Sequence, residues 1–178
     1  MSRNLYQLQR QNGAALVTSL LLLVVLTVLG ITTMQMTRMQ ERMAGNARDI
    51  AVAFQAAEAA LRDGESVIDL APTAPLPCVT APCNVYATDI LPILSNRTPA
   101  WWNANATEFG AAGVGELQDT LGVAADPRRT VEYLRFVPDD LMVGGATTGR
   151  DFYQITAASQ GASNNANVVL QTTFAKSF

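Results

Sequence analysis

A chain of 178 residues is most simply one domain with accessory segments, and a net charge of −3 spread along it leaves no basic footprint for nucleic acid and no polybasic lipid patch. There is no histidine, which removes Ser-His-Asp and Cys-His nucleophile pairs and every imidazole metal site at once. With no G-x-S-x-G or similar nucleophile motif, the composition points away from an enzyme and toward a protein without metal or cofactor.

The first element is the run QRQNGAALVTSLLLLVVLTVLGITT, Gln9 to Thr33. A short basic leader carries Arg3 and Arg10, and the chain then stays uncharged until Arg38. As a helix, Ala14 to Thr33 is roughly 30 Å long at about 1.5 Å per residue, which matches a bilayer's hydrocarbon core. A signal-peptide core of roughly 7 to 15 residues is exceeded, and GITTMQM offers no clear small-x-small cleavage site. The run therefore reads as a retained span over residues 14–36 rather than a cleaved secretory signal. Arginines flank it on both sides (Arg38, Arg42 and Arg48 follow), so the positive-inside count does not choose an orientation.

Helical periodicity continues beyond the span. Ile50, Phe54, Ala57, Leu61, Gly64 and Ile68 recur at three- and four-residue steps, with Arg48, Asp49, Glu58, Arg62, Asp63 and Glu65 on much of the remaining surface. AVAFQAAEAALRDGE is rich in strong helix formers, and the first proline is Pro72. One helix from about Ala14 to about Leu70 is expected, roughly 85 Å long. The alternative is a break at Gly45-Asn46, but a helical glycine costs only about 1 kcal/mol.

From Ala71 the character changes. APTAPLPCVTAPC holds Pro72, Pro75, Pro77 and Pro82 and both cysteines, which excludes regular helix and predicts a clipped loop. Cys78 and Cys83 are the only cysteines, and an even pair in a small extracytoplasmic domain reads as a disulfide. That pairing places the C-terminal part in an oxidising space. A metal site would need further ligands, and the spacing is not that of a C-x-x-C thiol pair. Asp89 to Arg97 suits a short helix or turn. TPAWWNANATEFGAAGVG, Thr98 to Gly115, reads as an irregular loop with Trp101 and Trp102 as core anchors rather than ligand platforms.

The last third reads as strands. RTVEYLRFVP, DFYQITAASQG and NVVLQTTFAKSF carry β-branched and aromatic residues with partial alternation, separated by the turn-forming DDLMVGGATTGR and GASNNAN. Three antiparallel strands in a meander, one face packed on the apolar stripe of the long helix, give an α+β fold. Weaker signals have plain readings. VGGATTGRD, Val143 to Asp151, lacks GxxxxGK[ST] and reads as a hairpin connection rather than a phosphate loop. Asp139, Asp140 and Asp151 lack EF-hand spacing and read as solvated turn acids. The triplets at Asn96 and Asn105 match a glycosylation acceptor that is frequent by chance.

A basic leader ending in Gly13, the immediate apolar run AALVTSLLLLVV, a helix continuing into a head and C-terminal strands resemble a type IV pilin precursor across the whole chain. GAALVTSLLLLVVLTVLG followed by QERMAGNARDIAVAFQAAEAALRDGE resembles the N-terminal signature of the PilX minor pilins more specifically. The resemblance implies a type IV pilin-like fold with a leader at 1–13, the membrane half of the helix at 14–36, its amphipathic half at 37–70 and a head at 71–178. It implies cleavage by a prepilin peptidase between Gly13 and Ala14, with methylation of the new amine on Ala14. It also implies a single-pass inner-membrane protein with a periplasmic head that later joins the pilus. There it would prime filament assembly with other minor pilins and hold a tip adhesin.

One position departs from the pattern. Pilins usually carry glutamate as the fifth residue after the cut, where it meets a neighbour's N-terminal amine, and this chain has Thr18. A subunit without that carboxylate suits a terminal place in the filament, as in the tip pseudopilin of type II secretion systems. A secretion-system pseudopilin is the alternative reading, and a membrane-anchored periplasmic binding domain is a further one.

Overall fold

A computed structural model describes residues 13–110, 117–139 and 148–178. The chain divides into two units after Gly45, and helix α1, Ala14–Asp69, runs through the division without interruption. The predicted single helix is therefore the one observed, since Gly45 leaves its backbone bonds intact and no proline intervenes before Pro72.

In the first unit every described residue is exposed. A helix that is apolar all round and unburied is one made for a non-aqueous neighbour, and α1 is long and apolar enough to cross a membrane. Its hydroxyls are turned back onto their own helix. Ser19 donates to the Leu16 carbonyl at 2.9 Å, Thr27 to Val24 at 2.8 Å and Thr32 to Leu29 at 2.9 Å. Such i−3 and i−4 bonds satisfy polar groups without a partner outside the helix.

In the second unit α1 lies against an antiparallel sheet. The strands are β1, Thr107–Glu108; β2, Arg128–Pro138; β3, Gly149–Gln160; and β4, Asn167–Lys176, in that spatial order. The expected three-strand meander is present as β2, β3 and β4, with the two-residue β1 added beside Arg128 and Arg129. Val131, Ile155 and Thr172 lie side by side across it, as do Tyr133, Tyr153 and Phe174. Beyond β1, the edge of β2 is covered by Tyr86, whose amide bonds the Val131 carbonyl and whose carbonyl accepts from the Tyr133 amide, both at 2.8 Å. The core comprises Ile68, Val85, Val131, Tyr153 and Ile155, with Leu61, Tyr133 and Phe174 packed against it.

The buried stripe of α1 differs from the expected one. Ala53, Ala56, Ala57, Ala60, Gly64 and Ile68 face the sheet, whereas Ile50 and Phe54 remain 54% and 48% exposed. The reason is the division of bulk. The sheet contributes Tyr153, Ile155 and Val131, so the helix must contribute small side chains for its backbone to come close. At Gly64 an added Cβ would stand 2.7 Å from Ile155 Cγ2 and 3.1 Å from Arg129 Cδ. Periodicity locates a helical face, but in this chain size decides which face is buried.

Polar contacts fix the same packing along its length. Asp49 accepts from the Ser163 amide at 3.0 Å and from its hydroxyl, and the Ser159 hydroxyl donates to the Ala53 carbonyl. Asp63 meets Arg129 at 2.6 Å, both largely buried. Lys176, the only lysine in the chain, donates to the carbonyls of Ile68 at 3.0 Å, Asp69 at 2.5 Å and Ala71 at 2.8 Å. A cation there satisfies carbonyls that a helix end leaves unpaired and opposes the negative end of its dipole.

The stretch Thr98 to Gly115, expected as an irregular loop, contains helix α2, Pro99–Asn105, as well as β1; residues 111–116 lie outside the described residues. Thr98 caps α2 by accepting from the Trp101 amide at 3.2 Å, and Pro99 supplies a preset φ in the first turn. A further short helix, α3, covers Leu117–Leu121.

Gly64→Ala should destabilise the head although alanine is the better helix former. The gain in propensity is about 1 kcal/mol, and overpacking costs about 1–3 kcal/mol. Gly45→Ala, where a Cβ meets nothing within 4 Å, should not destabilise. Thermal unfolding of the detergent-solubilised chain, followed by near-UV circular dichroism, checks both: the midpoint falls by several degrees for the first variant and does not fall for the second.

Candidate functional site

The N-terminal residues singled out by the sequence stand together at the start of α1. Gly13 immediately precedes the helix, and its carbonyl accepts from the Val17 amide at 3.4 Å. Among the described residues, a Cβ on Gly13 would meet nothing within 4 Å. Ala14 opens the helix. One turn on, the Thr18 hydroxyl lies 3.0 Å from the carbonyls of both Ala14 and Ala15 and donates to them. The side chain at this position is thus a neutral hydroxyl engaged by its own helix.

The other predicted residues belong to the head. Cys78 and Cys83 form a disulfide closing a small ring, which constrains the unfolded chain by about 2 kcal/mol. The ring is tied inward, because the Cys78 amide bonds the Val85 carbonyl at 2.9 Å and the Ala87 amide bonds the Cys78 carbonyl at 3.0 Å. Tyr86 lies between these contacts and reaches α2 by donating from its hydroxyl to the Asn105 carbonyl at 2.5 Å. Trp102 is buried and Trp101 half-buried, and the Arg97 guanidinium lies 5.1 Å from the Trp101 ring centroid and 5.6 Å from that of Trp102. The tryptophans therefore anchor a structural node. Arg97 Nε also donates to the Pro92 carbonyl at 2.8 Å.

Beside that node, Glu132 is buried and accepts from the Asp89 amide at 2.8 Å. Burial raises its pKa, against the lowering effects of the Asp89 amide and of Arg97. Burial likewise lowers the pKa of Arg97, against Glu132. On the helix side of the sheet, burial and the charge of Asp151 push Tyr153 up to about 12. Asp49 is held below the ordinary carboxylate range, chiefly by the Ser163 hydroxyl.

The weaker signals gain no site. Asp151 accepts from the Tyr133 hydroxyl at 3.2 Å, Asp139 is exposed, and Asp140 lies outside the described residues, as does most of VGGATTGRD. Among the described residues no three His, Cys, Asp or Glu side chains gather as metal ligands. Asn105 uses its side-chain amide to donate to the Trp101 carbonyl at 2.9 Å. Clefts indent the head, among them one of about 680 Å³ between the disulfide loop and residues 104–108, one of about 520 Å³ between α1 and Phe109, and one of about 460 Å³ between α2 and the β3–β4 end of the sheet. Sequence reasoning missed Lys176, Asp49 and the Asp63–Arg129 pair. The one available signal was that the chain's only lysine falls at the end of its last strand.

The family described as PilX N-terminal matches residues 12–62, and that described as Type IV pilus assembly protein PilX C-term matches residues 64–176. The chain belongs to the PilX family. Its two matches meet within α1, so they cover the exposed apolar half of the helix, its packed half and the head. PilX is a pilin family, a structural component of the type IV pilus, which fits a minor pilin that works through contacts with other pilins. The apolar start of α1 fits membrane anchoring and association with the pilus. No curated protein and no solved structure matches this PilX chain.

The Asp49 contact carries a pH dependence of definite sign. A carboxylate whose folded pKa is depressed from 3.8 stabilises the fold above that value and loses its contribution as pH falls through the lower, folded one. Thermal midpoints of the solubilised chain measured from about pH 5 to about pH 2 should fall less steeply in Asp49→Asn than in the parent.

Proposed function

We infer that this chain is a minor pilin that primes type IV pilus assembly at the inner membrane with other minor pilins and is carried to the pilus tip. In this reading residues 1–13 are a leader that keeps the N-terminus in the cytoplasm. Prepilin peptidase cuts between Gly13 and Ala14 and methylates Ala14. Residues 14–36 span the membrane once, and the head waits in the periplasm, where an oxidising environment suits the Cys78–Cys83 disulfide. A glycine has no side chain to obstruct the bond that the peptidase cuts, which suits Gly13 to that place. Removing the leader also removes Arg3 and Arg10, which would otherwise have to enter a water-excluded filament core.

The observation that carries the tip placement is Thr18. Its hydroxyl is occupied by the Ala14 and Ala15 carbonyls, so it offers no carboxylate to the N-terminal amine of an adjacent subunit. An uncompensated ammonium in a low-dielectric interior is strongly unfavourable. A subunit lacking the carboxylate therefore fits a place where no earlier subunit's amine needs it, and such a place is the end of the filament. From there the head can hold an adhesin. The match to a type IV pilus assembly family supports the pilus over a secretion machine as the setting.

Immunogold labelling of an epitope on the head should decorate pilus ends and leave the shaft bare. Thr18→Glu should move label into the shaft. Uniform shaft labelling of the parent chain contradicts the tip placement.

A further inference from the structure

The large apolar residues of α1 change kind along its first unit. From Ala14 to Thr33 they are leucine, valine and isoleucine, with no methionine. From residue 34 to residue 49 they are methionine alone, at Met34, Met36, Met39 and Met43. These four are exposed, at 68%, 68%, 59% and 60% respectively, so none is a core residue of its own chain. At about 100° per helical residue, Met36, Met39 and Met43 fall within about 60° of arc, while Met34 lies on the opposite side. Gln35 and Gln40 flank the face of the three, Arg42 stands at its margin, and Arg38 and Glu41 lie across the helix.

Apolar contact alone does not account for the change, since leucine has much the same volume and is what α1 uses up to Leu29. What methionine adds is a soft, polarizable sulfur on a flexible unbranched stem. Thioether sulfur selects cuprous copper, whereas zinc takes thiolate, imidazole or carboxylate, and calcium and magnesium take oxygen. No other soft donor competes within the chain, because it has no histidine and its two cysteines are joined in the disulfide. Residues three and four apart on a helix have Cβ atoms about 5–6 Å from each other. Met39 is therefore adjacent to both Met36 and Met43, which stand about 10 Å apart along the axis, within the converging reach of two long side chains and an ion between them.

We propose that Met36, Met39 and Met43 form a cuprous-ion site, which binds one ion through three thioether sulfurs just where α1 leaves its uncharged run. The ion is held by a single element, so the site needs neither the head nor a second chain. It goes beyond the pilus reading and does not depend on it.

The test is an anaerobic titration of the full detergent-solubilised chain, its methionine methyl groups isotopically labelled, with a cuprous acetonitrile complex. The readout is the NMR signal of each methyl group, assigned through single leucine variants. One equivalent of metal should shift the signals of Met36, Met39 and Met43 together and leave that of Met34 in place. Met39→Leu keeps the apolar volume and the helix propensity but removes the central sulfur, and should weaken binding by about tenfold or more. Met34→Leu should bind as the parent does, and zinc should shift none of the signals. No shift with copper in excess, an equal shift of Met34, undiminished binding by Met39→Leu, or an equal response to zinc would overturn the proposal.

Discussion

The closeness of α1 to the sheet at Gly64 is the constraint on which the head depends. Ile155 and Arg129 occupy the space a side chain would need there, and the four alanines before it extend the same close approach toward the start of the packed segment. Because the helix gives up bulk, Tyr153, Ile155 and Val131 can fill the interface from the sheet, which is how so small a head obtains a dry core. Polar contacts then select one register for this apolar packing. Asp49, Asp63 and the carbonyls of Ile68 to Ala71 are met by Ser163, Arg129 and Lys176, all supplied by β2, β4 or the turn before β4.

The first half of α1 follows the opposite logic. Its described residues are all exposed, and its hydroxyls are absorbed by its own carbonyls, so what it offers outward is apolar surface. Lipid and a bundle of similar helices are both acceptable surroundings for such a surface. That property is the physical basis of a subunit able to leave a membrane for a filament. Thr18 belongs to this logic, because a residue that bonds inward makes no electrostatic demand on a neighbour.

Much of the fold was legible because it rests on patterns that survive in one dimension. The uncharged run to Arg38 marks the apolar half of the helix, the absence of proline before Pro72 marks its length, and β-branched alternation marks β2, β3 and β4. Other features were hidden because they depend on residues that meet only in the folded chain. Ile50 and Phe54 fit the helical period as well as Ala53 and Ala60 do, and only the bulk of the sheet shows which pair is buried. α2 was obscured by the irregular residues around it, although Thr98-Pro99 is a helix start in retrospect. The clamp by Lys176 joins residues more than a hundred positions apart, and no local pattern announces it. At the candidate site, Gly13 and Thr18 were identifiable by position, but the inward bonding of Thr18 was not.

The most direct measurement is intact mass and N-terminal sequencing of the membrane-extracted protein from cells with and without prepilin peptidase. The account predicts a chain that begins at methylated Ala14 only when the peptidase is present. A chain that still begins at Met1 in its presence, or one cut after Thr33, would contradict it.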